Sequence, residues 1–338
     1  MSRAAASPLQ ERIARIAASP LPVVAWLVVV AAATAALVCA MIPVGPDWLG
    51  PSGAVAVASA FSWALAARTG GRPIIFGLVA LGLGLLGVLS SQDFLHTGAA
   101  VSTAAVASVL GVMVTVPAAG FLRAAREAVV ATLVAAVGAL AAVGFEPAIR
   151  VTRFEYAVLG IALVGAFLVV YRLGAGFHGL GRRGLLVVAV GTALLLLIVL
   201  YAETLHRYGA ADLIDTLDSW VAWCREHLGA FPRPIMAALG IPALVYGSHM
   251  RARRRQGWWV CMFGVAATAR VATALDDPTV ALREIGLSIV YALVVGLVVG
   301  WLVIRLDLAL TGNRGRRRRV EEQAAAVRPE PTRAHSLL

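Results

Sequence analysis

Charged residues along this chain are rare and come in short clusters, and the stretches between them are apolar throughout rather than alternating. Reading from one Asp, Glu or Arg to the next, seven long uncharged windows stand out, at residues 16–46, 48–67, 73–92, 94–122, 128–145, 184–202 and 285–304. A helix needs roughly 20 residues, at 1.5 Å rise each, to cross about 30 Å of hydrocarbon. Those seven reach that length unaided. Three shorter windows, 156–171, 234–250 and 256–269, reach it when a flanking charged side chain snorkels to the headgroups or faces other helices. The pattern therefore predicts an all-α polytopic bundle of about ten membrane-spanning helices, near residues 21–43, 51–67, 73–91, 99–121, 127–145, 154–171, 184–203, 233–250, 257–275 and 285–306.

The longest stretch between predicted spans, residues 203–233, has a different rhythm. Leu213, Leu217, Trp220, Val221, Cys224 and Leu228 recur at helical spacing, with Asp212, Asp215, Asp218, Arg225 and Glu226 on the other arc. This predicts an amphipathic helix over about 211–228, lying on the membrane surface with Trp220 and Trp223 at headgroup level. The domain plan is thus an N-terminal tail (1–20), a helical membrane domain (21–310) and a basic, disordered C-terminal tail (311–338).

Composition agrees with that class. Of 338 residues, 60% are hydrophobic and 14% charged, against about 25% charged in soluble domains. The basic residues number 29, all arginine, and their placement sets orientation, because cytoplasmic flanks carry the excess of positive charge. With the N-terminus inside, 22 arginines fall in inner segments, six in outer ones, and Arg270 lies within a span. Asp47, Asp93, Asp276 and Asp277 all fall outside. Both termini are expected in the cytoplasm of a bacterial cell membrane, where the net charge of +11 favours anionic lipid. Nucleic-acid binding by the arginine run 314–319 is not expected, since no aromatic or folded module accompanies it.

Small residues mark helix seams: Gly82, Gly84 and Gly87, Gly138 with Gly144, and Gly296 with Gly300 at GxxxG spacing. Pro117 and Pro242 are candidate breaks at membrane depth. The three cysteines form no CxxC pair and imply neither a disulfide framework nor a metal site.

Candidate chemistry is sparse. Glu203 and His206 form an ExxH pair on one helical face, which supplies only two of the ligands a metal needs, and no metal or cofactor is expected. Residues 174–179 match GxGxxG literally but follow a membrane helix, not a strand. Arg270 is the clearest signal, because an ionised group inside the bilayer costs several kcal/mol unless it is paired or wet. It sits in the outer half of the ninth span, with Glu155 and Glu203 near it in depth, so an Arg270–Glu155 or Arg270–Glu203 pair lining an outward polar cavity is predicted. A competing expectation is that Arg270 snorkels to lipid phosphate or to Asp276 and Asp277. No P-loop, HExxH or GxSxG signature is present.

Three function classes follow. A small secondary transporter or exporter comes first, a non-catalytic subunit or scaffold of an envelope complex second. The third is a membrane-embedded enzyme acting on a lipid-linked substrate through Glu203, His206 and Asp212, and the balance is against an enzyme.

Overall fold

A computed structural model describes residues 21–42, 44–148, 151–173, 185, 188–200, 211–253, 256–324 and 330–337, with backbone alone for 211–213 and 311–324. Every regular element among the described residues is helical. In chain order these are α1 (Leu21–Met41), α2 (Leu49–Arg68), α3 (Pro73–Leu89), α4 (Asp93–Met113), α5 (Phe121–Val143), α6 (Val151–Arg172), α7 (Val188–Leu200) and α8 (Ala211–Leu228). Then come α9, a π turn at Met236–Gly240 leading into Ile241–Arg251, α10 (Gly257–Ala272) and α11 (Leu282–Ala324). Six of them, α1, α2, α4, α5, α6 and the Leu282–Leu310 part of α11, are long and apolar enough to cross a membrane. The others are shorter: α3, α7 and α10 are apolar helices of 10–17 residues.

The breaks follow from local chemistry. α2 ends where Gly70 takes a positive φ of 68°, while the Gly71 N–H donates back to the Ala66 carbonyl at 2.7 Å, and Pro73 then opens α3. The chain leaves helical geometry at 115–118, around Pro117, before α5 begins. Pro242 has no N–H for the carbonyl four residues back, and the turn before it widens to π geometry. Gly229, with φ of 78°, ends α8.

α10 forms the centre of the bundle. Every residue from Gly257 to Ala272 except Arg270 is buried, enclosed by α4, α5, α6 and α9. Glycines make the enclosure possible: a Cβ on Gly240 would stand 2.2 Å from the Ala267 nitrogen, and one on Gly264 would stand 2.4 Å from Leu244. The pair Gly296 and Gly300 seats α11 on α9, facing Ile241 and Val245, so this GxxxG is a seam within the chain. Gly138 packs on Ala107 and Gly87 on Ala99, while Gly82 meets nothing. With lipid tails as apolar as leucine, such close approach holds helices together by dispersion. The opposite surfaces of α1 and α3 expose Leu21, Val24, Leu27, Val28, Ile74, Phe76, Leu78 and Leu83, a skin suited to hydrocarbon.

Polar side chains gather at the two ends of the bundle. The ends of α2, α4 and α9 and the start of α5 meet at one end, through Arg68, Thr115, Arg251 and Glu127. The start of α6 and the end of α10 meet at the other, through Glu155 and Arg270. α11 continues as helix to Ala324, past the end near 306 expected from hydropathy, and residues 330–337 lie back against the Arg68–Arg251 end. α8 is joined to the start of α11 by an Arg225–Glu284 ion pair (3.0 Å) and by the Tyr291 hydroxyl donating to the Leu228 carbonyl (2.8 Å).

Candidate functional site

Glu155 stands in the first turns of α6 and Arg270 in the last turn of α10, two helices in direct contact. Their side chains meet: Arg270 Nη1 donates to Glu155 Oε2. Glu155, one of the partners expected for Arg270, is thus in contact with it. Glu203 and His206 lie outside the described residues, as does the GxGxxG stretch 174–179.

Around this pair the chain adds groups that hydropathy did not assign to it. Arg233, just before α9, reaches Glu155 Oε1 at 3.8 Å, donates from Nη1 to the Arg270 carbonyl at 3.2 Å and from Nε to Ser288 Oγ of α11 at 3.3 Å. The Tyr156 ring lies 5.8 Å from the Arg270 guanidinium carbon. One carboxylate thus holds two guanidinium groups, and Arg233 links this ion pair of α6 and α10 to α11 through Ser288. Side chains of Glu155 and Arg270 are 20% and 18% exposed, so the pair is shielded without being sealed.

Asp276 closes the group. It lies beyond the end of α10 at 8% exposure, and neither carboxyl oxygen has a hydrogen-bond partner among the described residues. Burial, and then the negative charge of Glu155, push its pKa up to about 7. Its neighbour Asp277 behaves oppositely: the Thr279 hydroxyl and N–H donate to it at 2.6 and 2.9 Å and hold it below the usual carboxylate range. Burial draws the Arg233 pKa down, against the pull of Glu155.

The cluster therefore has two charge states. With Asp276 protonated, Glu155 is the one negative charge of the group; with it ionised, there are two. An ionised Asp276 adds a second negative charge within electrostatic reach of Glu155. Arg233 escapes sequence reading because its partners are 78, 37 and 55 positions away. Asp276 enters the sequence reading only with Asp277, as a snorkelling partner for Arg270, because its burial is a matter of packing.

Among the described residues no group of three or more His, Cys, Asp or Glu side chains could hold a metal. A separate cleft of about 170 Å³ between α2, α3 and α4 is lined mainly by apolar side chains, including Ala58, Phe76, Val79 and Leu83. Comparison of the chain with protein-family models, curated proteins and solved structures finds no match. Function has to be read from these side chains.

Proposed function

We propose that the chain is a small secondary transporter or exporter of the cell membrane, with Glu155, Arg233 and Arg270 as an outer gate and Asp276 as its proton-sensitive element. In this reading the six long helices and the four shorter ones, α3, α7, α9 and α10, make ten crossings with both termini in the cytoplasm. The Arg68–Arg251 end then faces the cytoplasm and anionic lipid, and α8 lies on the outer leaflet. The observation that carries the reading is a buried carboxylate, without a hydrogen-bond partner among the described residues and with its pKa pushed up toward neutrality, near an ion pair that joins two helices. Strongly perturbed groups of that kind concentrate where a protein binds or moves charge.

The proposed mechanism is a competition of Asp276 with Glu155 for the arginines. While Asp276 is protonated, Glu155 keeps both arginines and ties α6 to α10 and to the chain entering α9. Loss of the proton gives the arginines a second carboxylate, the tie loosens, and the outer ends separate. A change in protonation thereby becomes a change in access from outside, as alternating access requires.

Spin labels at Arg153→Cys on α6 and Pro278→Cys after α10, with the native cysteines replaced by alanine, report this directly in reconstituted protein. The expected result is a short interlabel distance at pH 5, an added longer population at pH 8, and the short distance at both pH values in Asp276→Asn. One pH-independent distribution in the otherwise unmodified chain would overturn the gate.

A scaffold role is favoured by one observation alone, the exposure of Trp220 and Trp223 on α8, which suits a partner as well as it suits headgroups. The acid–base candidates of the enzyme reading, Glu203 and His206, lie outside the described residues.

A further inference from the structure

The opposite end of the bundle holds a second polar centre, built on different residues. Arg68, the last residue of α2, is 3% exposed, and Arg251, the last of α9, is buried as deeply. Both reach the point where α4 stops. Arg68 Nε donates to the Met113 carbonyl at 3.0 Å, and Arg251 donates to the Thr115 carbonyl at 3.0 Å and to Thr115 Oγ1 at 2.7 Å. The guanidinium of Arg251 lies over the Trp258 ring, 3.5 Å from its centroid. Part of this arrangement caps a buried helix C-terminus with positive charge.

Capping uses only some of the five donors on each guanidinium. The remainder turns to the chain's own C-terminal segment. Arg251 Nη2 donates to Glu330 Oε2 at 2.5 Å and Nε to Oε1 at 3.4 Å, a two-pronged grip on one carboxylate. Arg68 Nη1 donates to the carbonyls of Thr332 (2.7 Å) and His335 (2.5 Å). Arg333 of the same segment brackets Glu127 at 2.5 and 2.6 Å, and the Leu337 N–H donates to the Arg68 carbonyl at 2.8 Å.

The charges at this centre do not balance. Glu127 is taken by Arg126 and Arg333, leaving two buried guanidinium groups with one carboxylate among the described residues, that of Glu330. Arg68 Nη2 is buried with no hydrogen-bond partner among the described residues. A buried donor left unmade is costly, and the fork already has the geometry that receives a planar or tetrahedral oxyanion. A phosphate carries the second negative charge and the extra acceptor oxygens that Glu330 lacks.

We propose that Arg68, Arg251 and Thr115 Oγ1 form a phosphate-binding site at this end of the bundle, and that Glu330 occupies it when no phosphate is bound. The segment 330–337 is then a tethered competitor, released as ligand enters. A tether holds its group at an effective concentration in the millimolar range, so free phosphate has to be titrated through that range.

The test uses the full chain with a spin label at the exposed position Ala334→Cys, Cys39 and Cys224 replaced by alanine, and reads label mobility. Inorganic phosphate is added in detergent in one arm; the other uses nanodiscs of phosphatidylcholine with or without phosphatidic acid. Release by inorganic phosphate supports a site for free phosphate. Release by phosphatidic acid alone supports the same site serving a lipid headgroup.

Glu330→Gln removes the competing carboxylate, an interaction of the size that shifts affinity about tenfold, and is expected to lower the phosphate concentration at half-release by about that factor. Arg68→Gln is expected to abolish release, and Glu330→Gln keeps the test decisive should that variant fold poorly. A label that neither phosphate source mobilises, in the Glu330 chain or in Glu330→Gln, overturns the proposal.

Discussion

At the scale of single residues, charge within apolar sequence was the legible signal. Arg270 interrupts an apolar stretch, and an ion there needs a partner, so the sequence offers Glu155 or Glu203, or else lipid phosphate or Asp276 and Asp277. The glutamate it found lies 115 positions away. Arg233, Arg68 and Arg251 carry the same chemistry but stand at helix ends, where arginine ordinarily does no more than orient the chain; hydropathy cannot tell an orienting arginine from a buried one. Asp276 gives a sign-definite prediction. Its carboxyl, raised from 3.8 to about 7, binds its proton more tightly in the folded state, so the stabilisation is complete below about pH 4 and is lost as pH rises toward 7. Thermal unfolding in detergent should therefore show a fall of about 3 kcal/mol in stability between those limits, flattened in Asp276→Asn. Equal pH slopes in the two proteins would rule out a buried, titrating Asp276.

At the scale of helices, most elements were readable because backbone in hydrocarbon has to satisfy its own hydrogen bonds, and uncharged length then forecasts helix. The π turn before Pro242 follows from an imino acid that has no proton to donate, and proline marked that break in advance. What the pattern could not convey was neighbourhood. Gly296 and Gly300 have a spacing that suits a dimer as well as an internal seam, and only packing on Ile241 and Val245 decides between them. Nor could it distinguish Gly82, which meets nothing, from Gly240, whose Cβ would strike the Ala267 backbone. Overpacking of this kind costs about 1–3 kcal/mol. Gly240→Ala is expected to lower stability by that amount or more and Gly82→Ala to leave it within about 0.5 kcal/mol. Equal melting temperatures for the two variants would contradict the close α9–α10 contact.

At the scale of the whole molecule, the bundle keeps two polar centres apart. α10 rises about 24 Å between them, comparable with the hydrocarbon core. The arginine count along the sequence put Arg68 and Arg251 in one set and Arg233 in the other, with Arg270 in neither. The count could not foresee that residues 330–337 fold back onto the arginine-rich end, since Glu330 and Arg333 find partners 79 and 206 positions away. Both proposed sites depend on those two ends facing opposite sides of a membrane. The direct measurement is labelling of intact cells by a membrane-impermeant maleimide, in chains carrying a single cysteine at Pro278→Cys or Arg123→Cys, both exposed positions, with Cys39, Cys224 and Cys261 replaced by alanine. Pro278→Cys is expected to react from outside and Arg123→Cys only after the cells are opened. Reaction of both positions from the same side would contradict the account.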